Sequence, residues 1–259
     1  MYHIVITGGS GGIGAALARR YLGRGDFVTL IARDPIKLEQ AQADCLRETG
    51  RSPAILTGDV THAADLDSLL RAADHERPVD ILIANAGIGG IDVLAPSEGE
   101  TADLARRILD VNTLGVINTV SPLLGTMAAR GRGHIVLVGS IASSVALAQS
   151  PVYCASKAAV HSYGHGLRRL LMDRGVRVSV VSPGFVDTPM SRSLPYARPF
   201  LVSADRAAAI IVRGIDRNRA EIVFPWPVRL TIALSALLPV RLVDRLLAAA
   251  SARAQDTTA

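Results

Sequence analysis

Thr7-Gly8-Gly9-Ser10-Gly11-Gly12-Ile13-Gly14 separates a short apolar run at 3–7 from a helical pattern at 12–23. Glycines there permit a tight turn and close backbone approach, and the free N–H groups at a helix start favour a pyrophosphate. Taken alone, such a turn often does no more than reverse the chain. Set between strand and helix it points to a bound nucleotide, with Thr7, Gly8, Ser10, Gly12, Ile13 and Gly14 as candidate contacts. A methyl-donor cofactor would want an acidic residue near the preceding strand end, and Ile6-Thr7 supplies none.

Outward from this turn, strand and helix alternate along most of the chain. Strands are expected near 3–7, 27–32, 53–58, 80–84, 134–139, 176–181 and 220–224, and helices near 12–23, 36–49, 62–75, 101–130, 151–174 and 203–217. Each strand is a short apolar run such as Ile135-Val136-Leu137-Val138, as suits strands buried on both faces. The pattern predicts an α/β fold: a Rossmann-like, doubly wound, mostly parallel seven-stranded sheet with helices on both faces, in a single domain. That domain spans 1–227, and 228–259 form an apolar, basic C-terminal extension. Pro122 is expected to bend the helix at 101–130. The segment Pro183 to Pro199, with four prolines, is expected to be a loop beyond a strand's carboxyl end, where ligands bind in open sheets of this kind.

Composition narrows the class. A chain of 259 residues, 49% hydrophobic and 20% charged, reads as a globular protein with a substantial core. The net charge of +5 comes from dispersed arginines, such as Arg19-Arg20 and Arg168-Arg169, which read as solvated helix faces rather than a nucleic-acid surface. Two cysteines, Cys45 and Cys154, do not make a disulfide framework and fit a reducing compartment. The first strand begins by His3, too early for a secretory leader, so the expected location is the cytoplasm.

The choice of dinucleotide is read about twenty residues beyond the glycine turn, where an acidic side chain would bond a ribose 2′-hydroxyl and repel a 2′-phosphate. Ala32 falls at that position, and Arg33 beside it can pair with a phosphate through its planar fork. This favours NADP(H) over NAD(H). A register shifted by two would put Asp34 there instead.

Tyr153 and Lys157 lie one helical turn apart in Tyr153-Cys154-Ala155-Ser156-Lys157, with Ser140 thirteen residues upstream of Tyr153 at a strand end. An i,i+4 pair projects from one face of a helix. A phenol with a pKa of ~10 gives up its proton poorly at neutral pH, and a nearby cation lowers that value. Only two of the 28 basic residues are lysines, Lys37 and Lys157, so a compact point charge stands here in a chain that otherwise uses arginine.

With these motifs the chain resembles the classical short-chain dehydrogenases/reductases over about residues 3 to 225. Thr7, Gly8, Gly12 and Gly14 match that family's glycine pattern. Asp59-Val60 matches its adenine-holding pair, and Asn85-Ala86-Gly87 its cofactor-lining motif. Pro183-Gly184, with Val186 and Thr188, matches the segment that closes over the nicotinamide. Asn112, Ser140, Tyr153 and Lys157 match the catalytic tetrad. The resemblance implies that Tyr153 is the acid in reduction and the base in oxidation, and that Ser140 bonds the substrate oxygen. It further implies that Lys157 lowers the tyrosine pKa and binds the nicotinamide ribose, while Asn112 holds a water. A homodimer or homotetramer, formed through the helices near 101–130 and 151–174, is implied in the same way.

Other residues receive plainer readings. His161 and His165 continue the i,i+4 series, but no third ligand is evident in the sequence, so no metal is expected. The family resemblance implies that these histidines face a neighbouring subunit's helix, and Cys154 is taken as packing. The segment between Ser140 and Tyr153 is low in charge, and Val145 and Leu147, joined by Met190, Leu194 and Phe200 from the loop, suggest an apolar small-molecule substrate such as a lipid-like or steroid-like ketone. Leu230 to Leu238 is apolar but is interrupted at Pro239 and Arg241, short of the ~20 residues of a bilayer span. With Arg229, Arg241, Arg245 and Arg253 it forms either a peripheral membrane anchor, a cap on the substrate pocket or a subunit contact. Two rivals to a soluble enzyme follow: an NADP(H)-binding regulator without turnover, and a membrane-surface ketone reductase or scaffold. The complete Tyr153, Lys157 and Ser140 set argues against a sensor, which has no need of a tuned proton donor.

Overall fold

In a computed structural model of the chain, residues 1–89, 100–194, 197–228, 230, 238–239 and 241–245 are described. The strands are β1 (His3–Thr7), β2 (Phe27–Ala32), β3 (Ala54–Thr57), β4 (Ile81–Ala84), β5 (Gly133–Val138), β6 (Val176–Pro183), β7 (Val186–Asp187), β8 (Val202–Ser203) and β9 (Glu221–Phe224). The helices are α1 (Gly12–Gly23), α2 (Pro35–Thr49), α3 (Ala63–Glu76), α4 (Ala102–Leu109), α5 (Gly115–Ala129), α6 (Pro151–Leu170), α7 (Pro189–Arg192) and α8 (Ala204–Asp216). Seven strands form one sheet in the order β3-β2-β1-β4-β5-β6-β9, every pair parallel. The chain order reverses between β1 and β4, so a crevice opens beyond Thr7 and Ala84, which are paired in register.

Alternation along β1 sorts its side chains into two core layers: Ile4 and Ile6 join one, Val5 the other. The first layer packs Leu17 and Tyr21 of α1, Leu38 of α2 and Ile211 of α8 against the sheet. The second packs Leu66 and Leu70 of α3, Val120 and Leu123 of α5 and Val160 of α6 against the opposite face. Fully burying each such side chain stabilises the fold by about 1.5–3 kcal/mol.

The long helix expected at 101–130 is not one α-helix. Asp110–Leu114 is a π-helical turn, with α4 before it and α5 after it. Pro122 lies inside α5, and the departure from α winding falls ahead of it, where the wider turn carries Asn112 to the polar partners described below. Helix α6 stops at Leu170 rather than 174, ahead of Gly175 with φ +68°. The expected loop from Pro183 holds more order than foreseen: β6 runs on to Pro183, β7 pairs with β8, and α7 begins at a capping box between Thr188 and Ser191. Arg229, Arg253 and most of the stretch from 230 to 238 lie outside the described residues.

Candidate active site

The turn after β1 is shaped by contact as much as by flexibility. Gly8 has φ +66°, and a Cβ there would lie 2.8 Å from the Ala86 Cα. A Cβ on Gly14 would press on the Gly8 carbonyl oxygen, so the first turn of α1 can sit against the loop only without side chains. Gly11 opens α1 with no side-chain cap, and no acidic residue lies in the first turn. The N–H groups there remain available to an anion.

Asn85 holds the turn from the next strand over. Its Nδ2 donates to the Thr7 oxygen at 3.1 Å and to the Gly8 oxygen at 3.0 Å. Thr7 is fully buried; its hydroxyl donates to Ile83 O at 3.5 Å and accepts the Asn85 amide at 3.2 Å. Thr7 therefore ties β1 to β4 instead of reaching a ligand, which corrects its place among the expected contacts, and Gly14 likewise acts through packing.

One cavity of about 820 Å³ extends from this turn across the carboxyl ends of the strands. Of the residues expected to meet a dinucleotide, Gly8, Ser10, Gly12, Ile13, Arg33, Asp59, Val60, Asn85, Ala86 and Gly87 line it. So do Pro183, Gly184, Val186 and Thr188. Beyond β2 the basic lining is doubled, because Lys37 joins Arg33. Asp34 caps α2: its Oδ1 accepts the Lys37 amide at 3.1 Å, and its carboxylate meets Lys37 Nζ at 3.5 Å. Burial works against ionisation of Asp59, but bonds from the Thr61 amide at 2.9 Å and hydroxyl at 2.8 Å outweigh it and hold the carboxyl below its usual pKa.

Ser140, Tyr153 and Lys157 line the same cavity. Ser140 follows β5, and its Oγ accepts the Ala142 amide at 3.1 Å, which fixes the hydroxyl at the pocket wall. Ser140 lies near enough to the Tyr153 phenol to favour its ionised form. Lys157 is buried and donates from Nζ to Val138 O at 3.1 Å. Its ammonium carries further N–H groups.

The electrostatics differ from the sequence-based expectation. Desolvation raises the Tyr153 pKa; Ser140 opposes the rise and Cys154 adds to it. The lowering expected from Lys157 is not seen, since Nζ lies 5.9 Å from the ring centroid and burial dominates. Desolvation also brings the Lys157 ammonium down to about 8. Burial thus disfavours the charged form of both groups, although the amine remains an ammonium below about pH 8.

Asn112 is fully buried and does not reach the cavity wall. From the π turn, its Oδ1 accepts the Ile88 amide at 2.8 Å, while Nδ2 donates to Ile88 O at 3.0 Å and to Ser156 Oγ at 3.2 Å. Ser156 Oγ donates in turn to Tyr153 O at 2.7 Å. Asn112 thereby couples the segment after β4 to the helix of Tyr153.

One contribution to the site was missed from sequence. Glu100 Oε1 accepts the Val152 and Tyr153 amides, each at 3.1 Å, and so caps α6 where Ser150 gives no side-chain bond. No local spacing links residues 52 and 53 positions apart, so only a fold could reveal it. Val228 and Val243 of the C-terminal segment also line the cavity. Val145, Leu147, Met190 and Leu194 line it as expected, whereas Phe200, with φ +56°, is exposed and does not. Cys154 is buried, and its Sγ accepts the Leu147 amide at 3.3 Å. His161 and His165 meet Glu221 of β9, a third side chain the sequence did not reveal.

Comparisons with known proteins agree with this arrangement. A family model for short chain dehydrogenases matches residues 2–198. An uncharacterized oxidoreductase of Myxococcus xanthus is 34% identical over 245 residues, covering 93% of this chain and 94% of its own. Among solved structures, a short-chain dehydrogenase from Sphingobium yanoikuyae in complex with NADPH is 26% identical, with a TM-score of 0.78 over 99% of this chain and 96% of that one. A bulky-bulky ketone specific alcohol dehydrogenase from Comamonas testosteroni is also 26% identical, with a TM-score of 0.75 over 92% and 93% of the two chains.

Proposed function

Because the chain belongs to the short-chain dehydrogenase family and is an oxidoreductase of that kind, we propose that it interconverts an alcohol and a ketone or aldehyde with NADP(H), acting on an apolar small molecule. The observation that carries this reading is the single cavity bounded by the glycine turn at one part and by Ser140, Tyr153 and Lys157 at another. Bound there, the nicotinamide ring supplies or accepts the hydride.

The residues do the rest. Tyr153 gives its proton to the carbonyl oxygen in reduction and takes it back in oxidation, while Ser140 donates a hydrogen bond to the same oxygen. Lys157, with N–H groups beyond the one given to Val138, holds ribose hydroxyls and favours the charged form of the phenol once the pocket is filled. Asn112 is a positioning residue, fixing Ile88 against α6 through Ser156. Arg33 and Lys37 supply two cations for a 2′-phosphate, with Asp34 committed to the α2 cap, and this supports NADP(H) over NAD(H).

An apolar substrate is supported by Val145, Leu147, Met190 and Leu194, with Val228 and Val243 arriving from the C-terminal segment. The NADPH complex of the Sphingobium protein and the bulky ketones named for the Comamonas protein accord with both choices. The test is a screen of alcohols and ketones with each nicotinamide cofactor, read by absorbance of the reduced ring. Turnover confined to highly charged substrates would refute the apolar assignment, and no turnover with any pair would favour the regulator.

A second reading has its own observation. Trp226, Leu230 and Leu242 are exposed beside the cavity-lining Val228 and Val243, which suits entry of a lipid-like ketone from a membrane surface. Sedimentation with anionic vesicles, repeated on a Trp226→Ser, Leu242→Ser variant, decides this. Equal partitioning of the two forms removes the anchor. Assembly as a homodimer or homotetramer is part of the same proposal, and light scattering tests it.

A further inference from the structure

We propose that His161, His165 and Glu221 form a binding site for one divalent cation of the zinc class, outside the cavity and independent of its chemistry. The site is built on two firmly placed elements. A Cβ on Gly164 would run into Val180 and lie 3.0 Å from Leu137 Cδ1, so α6 rests unusually close to β5 and β6 at the turn between the two histidines. Beyond β6 lies only β9, the edge strand, whose first residue Glu221 pairs in register with Val180. The close approach lets both imidazoles reach past β6 to that carboxylate.

The distances suit a metal. His165 Nε2 lies 3.1 Å and His161 Nε2 3.8 Å from Glu221 Oε1, and one ligand atom from each of the three side chains falls within 4.8 Å of the others. Zinc bonded at about 2.0–2.2 Å to nitrogen and oxygen in a tetrahedron needs its ligand atoms roughly 3.3 Å apart. His165 and Glu221 already meet that spacing. The His161 ring stands edge-on to His165 at 4.5 Å between centroids, and its nitrogen needs to come about 0.5 Å closer to Glu221 to reach the same spacing. The imidazoles are partly buried and the carboxylate is exposed, so water can complete the shell. Two imidazoles and one carboxylate suit zinc, cobalt or nickel better than magnesium or calcium. A bound ion would pin the C-terminal half of the helix that carries Tyr153 and Lys157 to the edge of the sheet.

The experiment uses the full chain freed of metal with a chelator. Calorimetric titration with zinc chloride is expected to show one equivalent bound, with a Tm that rises with zinc and falls back on chelation. Cobalt(II) in place of zinc is expected to give the intense visible bands of a four-coordinate nitrogen and oxygen site. Glu221→Gln, which keeps an acceptor for His165, and His165→Gln are each expected to weaken zinc by roughly tenfold or more, with NADPH titrations unchanged. Zinc binding undiminished in both variants overturns the proposal, as does no zinc binding by the parent chain. The cobalt spectrum of the parent decides even if a variant fails to fold, because a hexaaqua spectrum or a thiolate charge-transfer band excludes this site.

Discussion

Glu100 and Tyr153, 53 residues apart, are joined by a hydrogen bond of 3.1 Å from the Tyr153 amide to the Glu100 carboxylate. The acid that precedes α4 thus fixes the first turn of α6, and with it the height at which the phenol enters the cavity. A carboxylate at a helix N-terminus also meets the positive end of the helix dipole.

Glu100→Ala should lower the Tm by roughly 2–6 °C, as expected for loss of a helix cap in a chain of this size. Turnover should fall further than the loss of folded protein explains, while Glu100→Gln, which keeps an acceptor oxygen, should restore most of both. Thermal melts and steady-state kinetics on the two variants check this.

Tyr153→Phe removes the proton donor but keeps the ring. Turnover should drop by at least ~100-fold, the usual scale of a lost general acid, while NADPH affinity changes little. Fluorescence titration beside the rate measurement separates the two effects, and retained activity would contradict the assigned role.

Arg33→Ala should weaken NADP(H) by roughly 10-fold to 100-fold, the worth of a charge-assisted bond to phosphate, and leave NAD(H) nearly unchanged. Adding Lys37→Ala should deepen the loss for NADP(H) alone. Affinities of both cofactors for the parent and the two variants supply the check; an unchanged preference would assign the phosphate to another residue.

Lys157 sets a pH dependence of known sign. Its pKa is 10.5 in the unfolded chain and about 8 in the fold, so between these values the unfolded state binds the proton that the fold has released. Stability therefore rises with pH across that window, and below about 8 the buried ammonium costs the ligand-free fold on the order of 3 kcal/mol. Urea denaturation at pH 7.5 and 9.5 should show the rise in the parent chain and its loss in Lys157→Met.

Much of this architecture could be read from residue order alone. The strands near 3–7, 27–32 and 80–84 are recognisable because burial on both faces demands unbroken apolar runs, and the glycine turn because only glycine meets its contacts. Tyr153 and Lys157 are legible because one helix carries both. Thr7 was misassigned since a strand-end hydroxyl looks alike in sequence whether it faces a ligand or a neighbouring strand. Glu100 and the meeting of His165 with Glu221 stayed hidden for a different reason: each depends on distant segments brought together, and no periodicity records that. The phenol's pKa escaped prediction because spacing shows where a cation sits but not how dry its surroundings are.

The widened turn at Asp110–Leu114 makes chain length itself a constraint at that point. Deleting one residue there would let the helix regain ordinary winding with α4 and α5 still in phase, because a π turn absorbs its extra residue within one turn. The Asn112 amide would then leave Ile88 and Ser156 together. The cost of the shorter chain would fall on the link between the segment after β4 and the helix of Tyr153, which that one amide makes.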